Sequence, residues 1–307
     1  MSPYVPSQDE VLEYFDRYSN WGRWGSDDEK GTLNLITSSK RLQALEAAQD
    51  GIVVNCAWPI IHEKPAPDVL YPPLHYMLNS GESPSATDAA DFIGMVFHGH
   101  TITHIDALSH QFWNGKFYND RPKNLVTTKK GATQCDVDVM KDSIVTRGVL
   151  LDIAGLRQKP YLEPGEAIYS EDLNAAEQEC EVKVTEGDAL LIRTGWLERR
   201  AIHGPYPHPP DRPGLHAATL PWLFERGVSV IAADAAHDVV PSGYDDIPQP
   251  VHKVGMVSMG LCLIDGCQFE GLREECKRRN RWDFLFIVAP LRLAAATGSP
   301  VTPLAVL

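Results

Sequence analysis

The chain has 307 residues, 43% hydrophobic and 22% charged, enough to bury a sizeable core and too balanced for a collagen, a coiled coil or a disordered polymer. Asp and Glu outnumber Lys and Arg by 41 to 28, a formal charge of −13 that argues against nucleic acid and anionic membranes as partners. No apolar run approaches the ~20 residues that span a bilayer. The N-terminus, MSPYVPSQDEVLEYF, lacks the basic and apolar regions of a signal peptide. The six scattered cysteines then read as free buried thiols, and the chain as a cytoplasmic protein.

In chain order, Glu10–Tyr18 reads as a short amphipathic helix, and Ser38–Gln49 as a helix capped by Thr37 or Ser38. Short runs rich in Val and Ile predict strands at Ile52–Cys56, Ile93–Phe97, Gly148–Ile153, Ala189–Thr194, Val228–Ala233, Val257–Leu263 and Phe284–Val288. Helices are expected between them at Glu171–Glu179, Ala217–Arg226 and Phe269–Arg278. Pro65–Pro73, His203–Pro213 and Pro241–Pro250 are Pro-rich and read as ordered loops near a site. The interleaving implies an α/β fold: a mixed β-sheet or barrel-like core with flanking helices and long Pro-rich loops. No composition shift marks a boundary, so residues 1–307 are expected to form a single domain.

One window concentrates chemistry: His98-Gly-His100-Thr-Ile-Thr103-His104-Ile-Asp106-Ala-Leu-Ser-His110. With 11 histidines in the chain, an eleven-residue window expects about 0.4, and positions 100–110 hold three and an aspartate. Residues 98, 100, 104 and 106 share parity, so an extended strand turns all four to one face. A helix would set 104 and 106 on nearly opposite sides. His100, His104 and Asp106 can therefore converge on one cation, and His98, on the same face, is an alternative to His100. Neutral imidazoles with a carboxylate suit Zn²⁺, Mn²⁺ or Fe²⁺. A continuous strand would carry His110 ~20 Å from His104, so a role for His110 requires a turn at Ala107–Ser109.

The pattern His-x-x-Thr-His-x-Asp-x-x-x-His resembles the metal motif of the cyclase-like metal-dependent hydrolases, a family that includes kynurenine formamidases and isatin hydrolases. Further segments resemble its longer branch, among them Arg23-Trp24-Gly25, Tyr118-Asn119, Arg147-Gly-Val-Leu-Leu-Asp152, Arg193-Thr-Gly-Trp196 and Ala289-Pro290. The resemblance implies the cyclase-like swivelling β/β/α type of fold. It also implies metal ligation by His100, His104 and Asp106, with His110 as proton donor and acceptor. His252 matches the family's later histidine, and Asp265 stands where the family usually has Glu. Ile102 and Leu108 replace the motif's usual Gly and Pro. The shorter Asp265 favours one divalent metal per chain over two, with zinc first and manganese as the alternative. A homodimer or homotetramer is implied too.

The function expected is hydrolysis of an amide, either a formamide or a cyclic amide or imide, by a metal-activated water. A lactone or ester hydrolase, or a metal-dependent lyase or cyclase acting as a dehydratase, uses the same ligands. A small aromatic or cyclic substrate would meet Trp24, Phe112, Trp113 and His237, the last placed after a strand end. Met256-Val-Ser258-Met-Gly260 only approaches a nucleophile elbow, and no Gly-rich phosphate loop is present.

Overall fold

Ser7 starts the first helix: its hydroxyl accepts from the Glu10 amide while the Glu10 carboxylate accepts from the Ser7 amide, a reciprocal cap for α1 (Gln8–Arg17). The computed structural model describes residues 3–60, 69, 71–99, 101–205 and 211–307. Thr37 caps α2 (Ser38–Glu46), which stops short of the Gln49 expected from sequence. Further on lie α3 (Ser170–Glu179), α4 (Trp196–His203), α5 (Leu220–Glu225) and α6 (Glu270–Arg279).

One nine-stranded mixed sheet organises the molecule. Its strands are β1 (Val53–Asn55), β2 (His104–Asp106), β3 (Ile144–Asp152), β4 (Ala189–Arg193), β5 (Val230–Ala233), β6 (Cys262–Asp265), β7 (Asp283–Val288), β8 (Gly298–Pro300) and β9 (Leu304–Val306). The spatial order is β1-β9-β7-β3-β4-β5-β6-β2-β8. Strands β3 to β6 run parallel at the centre, with antiparallel strands on both sides. The central strands are buried on both faces, which explains their continuous apolar runs. Leu150, Leu191, Ala232 and Ile264 point into one core with Phe284 and Phe286. Their neighbours Val149, Leu190, Ile231 and Leu263 point into the other, under α3 and α5. All six cysteines are free thiols, five of them buried.

Three predicted elements differ. Val257–Met259 is not strand but the end of a π-helix, Lys253–Met259, and the strand begins only at Cys262. Every residue from Val254 to Met259 is buried, so the apolar run carries no period with which to separate helix from strand. The π-helix ends at Gly260, whose φ of +67° suits glycine and whose added Cβ would meet the Tyr118 ring at 2.4 Å. The Ile93–Phe97 strand lies instead at Ala90–Gly94, in a hairpin with Leu74–Asn79 outside the main sheet. Ala217–Arg226 divides into a 3₁₀ turn, Ala217–Thr219, and α5. Much of Pro65–Pro73 and part of His203–Pro213 lie outside the described residues.

Arg193 ends β4 with its side chain fully buried, donating to Asp152, Glu270 and Glu198 and to the Pro160 carbonyl. Its charge is consumed inside the fold. No helix among the described residues is long and apolar enough to cross a membrane.

Candidate metal centre

The register between two strands builds the site. In the β6–β2 ladder Asp265 lies directly opposite His104, and directly opposed residues carry their side chains ~5 Å apart. Asp106 follows His104 on the same face. Ligand atoms of His104, Asp106 and Asp265 all lie within 4.8 Å of one another, close enough to share a cation. Asp265 ends the last of the four parallel strands, at the carboxyl edge where open α/β sheets place their sites. Thr103 locks this corner: its hydroxyl donates to the Gly266 carbonyl at 2.6 Å and accepts from the Trp58 amide at 2.8 Å.

Only His104–Asp106 of the motif is strand; the chain bends at His98, Gly99, Thr101 and Ile102, so strand parity covers just His104 and Asp106. His100 lies outside the described residues. After β2 the chain does turn, closed by the His110 amide donating to the Ala107 carbonyl at 2.8 Å. This returns His110 to the site, with Nε2 3.9 Å from Asp106 Oδ2. His98 stacks flat on His110, ring centroids 3.9 Å apart, with Nδ1 2.9 Å from Asp106 Oδ1. His98, Asp106 and His110 thus form a second donor group sharing Asp106 with the first. Gly298, opposite Asp106 in β8, makes room for it: a Cβ there would meet the His98 ring at 2.9 Å and the Ile105 carbonyl at 2.6 Å. Gly298→Ala is therefore expected to push His98 off Asp106 and to destabilise the fold by about 1–3 kcal/mol; a thermal melt and a metal titration of the variant check this.

The polar atoms of the site are arranged as a cation would require. His104 Nδ1–H donates to the Ile102 carbonyl at 2.8 Å, which leaves Nε2 bare and 3.6 Å from Asp106 Oδ1. His252 Nδ1–H donates to Asp238 at 2.5 Å, leaving Nε2 facing Asp265 Oδ2 at 3.4 Å. Asp106 Oδ1 and Asp265 Oδ1 are buried without an aligned hydrogen bond, although His98 Nδ1 and His237 Nε2 lie 2.9 and 3.3 Å from them. Buried acceptors without aligned donors are costly, and a divalent cation satisfies several at once. The nitrogen and oxygen donor set fits a divalent cation.

Burial works against ionising Asp106, but the charges of His110 and His104 and the contact with His98 outweigh it and hold the carboxyl below its ordinary range. Asp265 behaves alike: burial opposes ionisation, while His252, His237 and His104 favour it and win. Burial pulls His110 down to about 4 despite Asp106, so its imidazole is neutral at pH 7. His237 is pulled to about 4 by burial as well. For His252 burial lowers affinity for the proton, yet Asp238 and Asp265 overcome it and raise the group to about 10.

These groups open on a cavity of about 270 Å³ lined by His98, His104, Asp106, His110, His252 and Asp265, together with Gln111 and Gln249. Of the residues expected to touch substrate, His237 lies behind Asp265, Nε2 to Oδ1 3.3 Å, and does not line this cavity. Trp113 stacks on Phe15 and lines a separate cavity beside α1. Phe112 packs edge-on against Phe117, and Trp24 lies under the Arg23 guanidinium. Asp238 escaped sequence reading. It is wholly buried, orients His252 through Nδ1, and accepts the Val251 and His252 amides. Its one signal was its position after a strand end beside His237. Asp238→Asn removes the charge beside His252 and sets an NH₂ against a backbone N–H that the carboxylate accepts; a 10–100-fold loss of metal affinity is expected, read by calorimetric titration.

Three comparisons bear on the chain. The Cyclase family model matches residues 41–237. A crystal structure described as a novel cyclase is 31% identical, with a TM-score of 0.83, covering 94% of this chain and 99% of that one. Isatin hydrolase A from Labrenzia aggregata, bound to benzyl benzoate, is 19% identical with a TM-score of 0.62, over 86% of this chain and 98% of that one. A structure described as a predicted metal-dependent hydrolase from Bacillus stearothermophilus is 18% identical with a TM-score of 0.52, over 83% and 97%. No curated protein matches the chain.

Proposed function

The chain belongs to the Cyclase family, and from that premise we propose that it is a metal-dependent hydrolase of an amide bond, a formamide or a cyclic amide, in a small aromatic or cyclic substrate. The observation that carries the reading is the register pairing of Asp265 with His104, which gathers buried ligand atoms of His104, Asp106 and Asp265 within 4.8 Å beside a cavity large enough for a small molecule. His104, Asp106, Asp265 and His252 would hold the cation, with His100 or His98 completing the set. When bound, a divalent cation lowers the pKa of a water molecule and polarises a carbonyl oxygen.

The protein's own groups do the rest. The Ile102 carbonyl fixes the tautomer of His104 and Asp238 fixes the ring of His252, so each turns Nε2 inward, where a cation would take the place of the His252 Nε2 proton. His110, neutral at pH 7 and on the cavity wall, accepts the proton that the attacking water releases. The water oxygen bonds to the carbonyl carbon, the carbon–nitrogen bond breaks, and His110 returns the proton to the leaving nitrogen. One cation per chain, zinc or manganese, is the stoichiometry we favour, and the native assembly is taken to be a homodimer or homotetramer. Release of acid from a panel of formamides, cyclic imides and lactones, with metal-loaded and chelated protein, tests the assignment. Turnover confined to lactones would overturn the amide reading; turnover unaffected by chelation would overturn the metal.

A further inference from the structure

We infer that Gln111 presents its side-chain amide N–H groups to the cavity as a specificity subsite for a second acceptor oxygen, a carboxylate or carbonyl, on the substrate. The inference rests on the hydrolase reading for what occupies the cavity, but its geometry stands apart from the metal ligands. Lys253 Nζ lies 2.6 Å from Gln111 Oε1 and 3.4 Å from the Phe112 carbonyl. An ammonium has donors only, so the Gln111 amide must turn its oxygen to Lys253 and its NH₂ away from it. That contact settles an amide orientation that the shape of the side chain leaves open.

Gln111 lines the same cavity as His110, its neighbour in sequence, and Nε2 donates to no described residue. Around it the wall offers carboxylates and imidazoles, acceptors or groups engaged with one another. Gln111 and Gln249 are the neutral amides of the wall, and Gln111 is the one whose direction Lys253 sets; a donor pair at a cavity wall rewards a ligand oxygen that can accept. Lys253 opens the π-helix directly after His252. One element therefore sets both the inward-facing imidazole and the amide's direction, and Lys253 is a positioning residue. The substrate class that follows is a small amide bearing an acceptor oxygen besides the scissile carbonyl, in place of a purely apolar amide.

The test compares binding of two probes, 2-formamidobenzoate and formanilide, which differ by one carboxylate, to the wild-type protein by calorimetry. Wild type is expected to bind the carboxylate probe about tenfold more tightly, the worth of a hydrogen bond to a charged group. In Gln111→Leu that ratio falls to near one. In Gln111→Glu, which has the same shape with acceptors for donors, it drops below one. In Lys253→Met, where nothing holds the amide oxygen, it lies between. A wild-type ratio near one, or a ratio that Gln111→Leu leaves unchanged, overturns the subsite. Turnover is read on the same samples. An intact binding ratio with neither probe cleaved supports the subsite and counts against the hydrolase reading alone.

Discussion

His104→Ala and Asp106→Ala are each expected to leave the protein without bound metal and without measurable turnover. Both side chains are almost wholly buried, each contributes to a donor group within 4.8 Å, and Asp106 belongs to two such groups. Alanine removes a buried ligand, and in Asp106→Ala the carboxylate shared by both donor groups goes with it. Loss of metal also shows in stability. A ligand that binds only the folded state stabilises it by about 2.7 kcal/mol at a hundredfold excess over Kd. Wild type should gain that in a thermal melt with added zinc, and either variant should gain nothing. Elemental analysis of the purified variants gives the decisive number. A full equivalent of metal in either one removes that residue from the ligand set.

His110→Ala separates proton transfer from ligation. General acid–base groups contribute 10²–10⁴-fold, and that is the expected fall in kcat, with the metal retained. The sign of the pH dependence follows from the environment. Burial holds His110 at about 4, so the imidazole is free to accept a proton at neutral pH and becomes imidazolium only as the pH falls through that value. The wild-type rate supported by this group is therefore present above about pH 4 and lost below it, and the residual rate of His110→Ala should lack that limb. If the variant instead loses its metal, His110 is a ligand through the donor group with His98 and Asp106, and the proton passes through another residue.

Three residues show how far the linear order could go. The spacing of His104 and Asp106 put both on one strand face, and the distance from His104 to His110 demanded a turn at Ala107–Ser109; the chain turns there. Asp265 shows the limit. From sequence it was a ligand position shortened by one methylene; the β6–β2 register sets it directly opposite His104, its carboxylate within 4.8 Å of the His104 and Asp106 donor atoms. Side-chain length matters less there than which residue it faces. Asp238 is farther still from sequence logic, since its partner His252 lies fourteen residues on, across a Pro-rich loop.

By itself the sequence determined most of the short apolar strands, the cap of the Ser38 helix and the crowding of histidines, because these depend on periodicity and on neighbours within a few residues. It could not place β8, whose Gly298-Ser-Pro300 violates strand preference and pairs only because Gly298 leaves room for His98 and Pro300 lies on an edge. It could not tell the buried π-helix from a strand, nor say that Lys253 at its start turns the Gln111 amide. Those outcomes belong to strand register and to packing between segments more than a hundred residues apart, and only the tertiary structure brings such segments into contact.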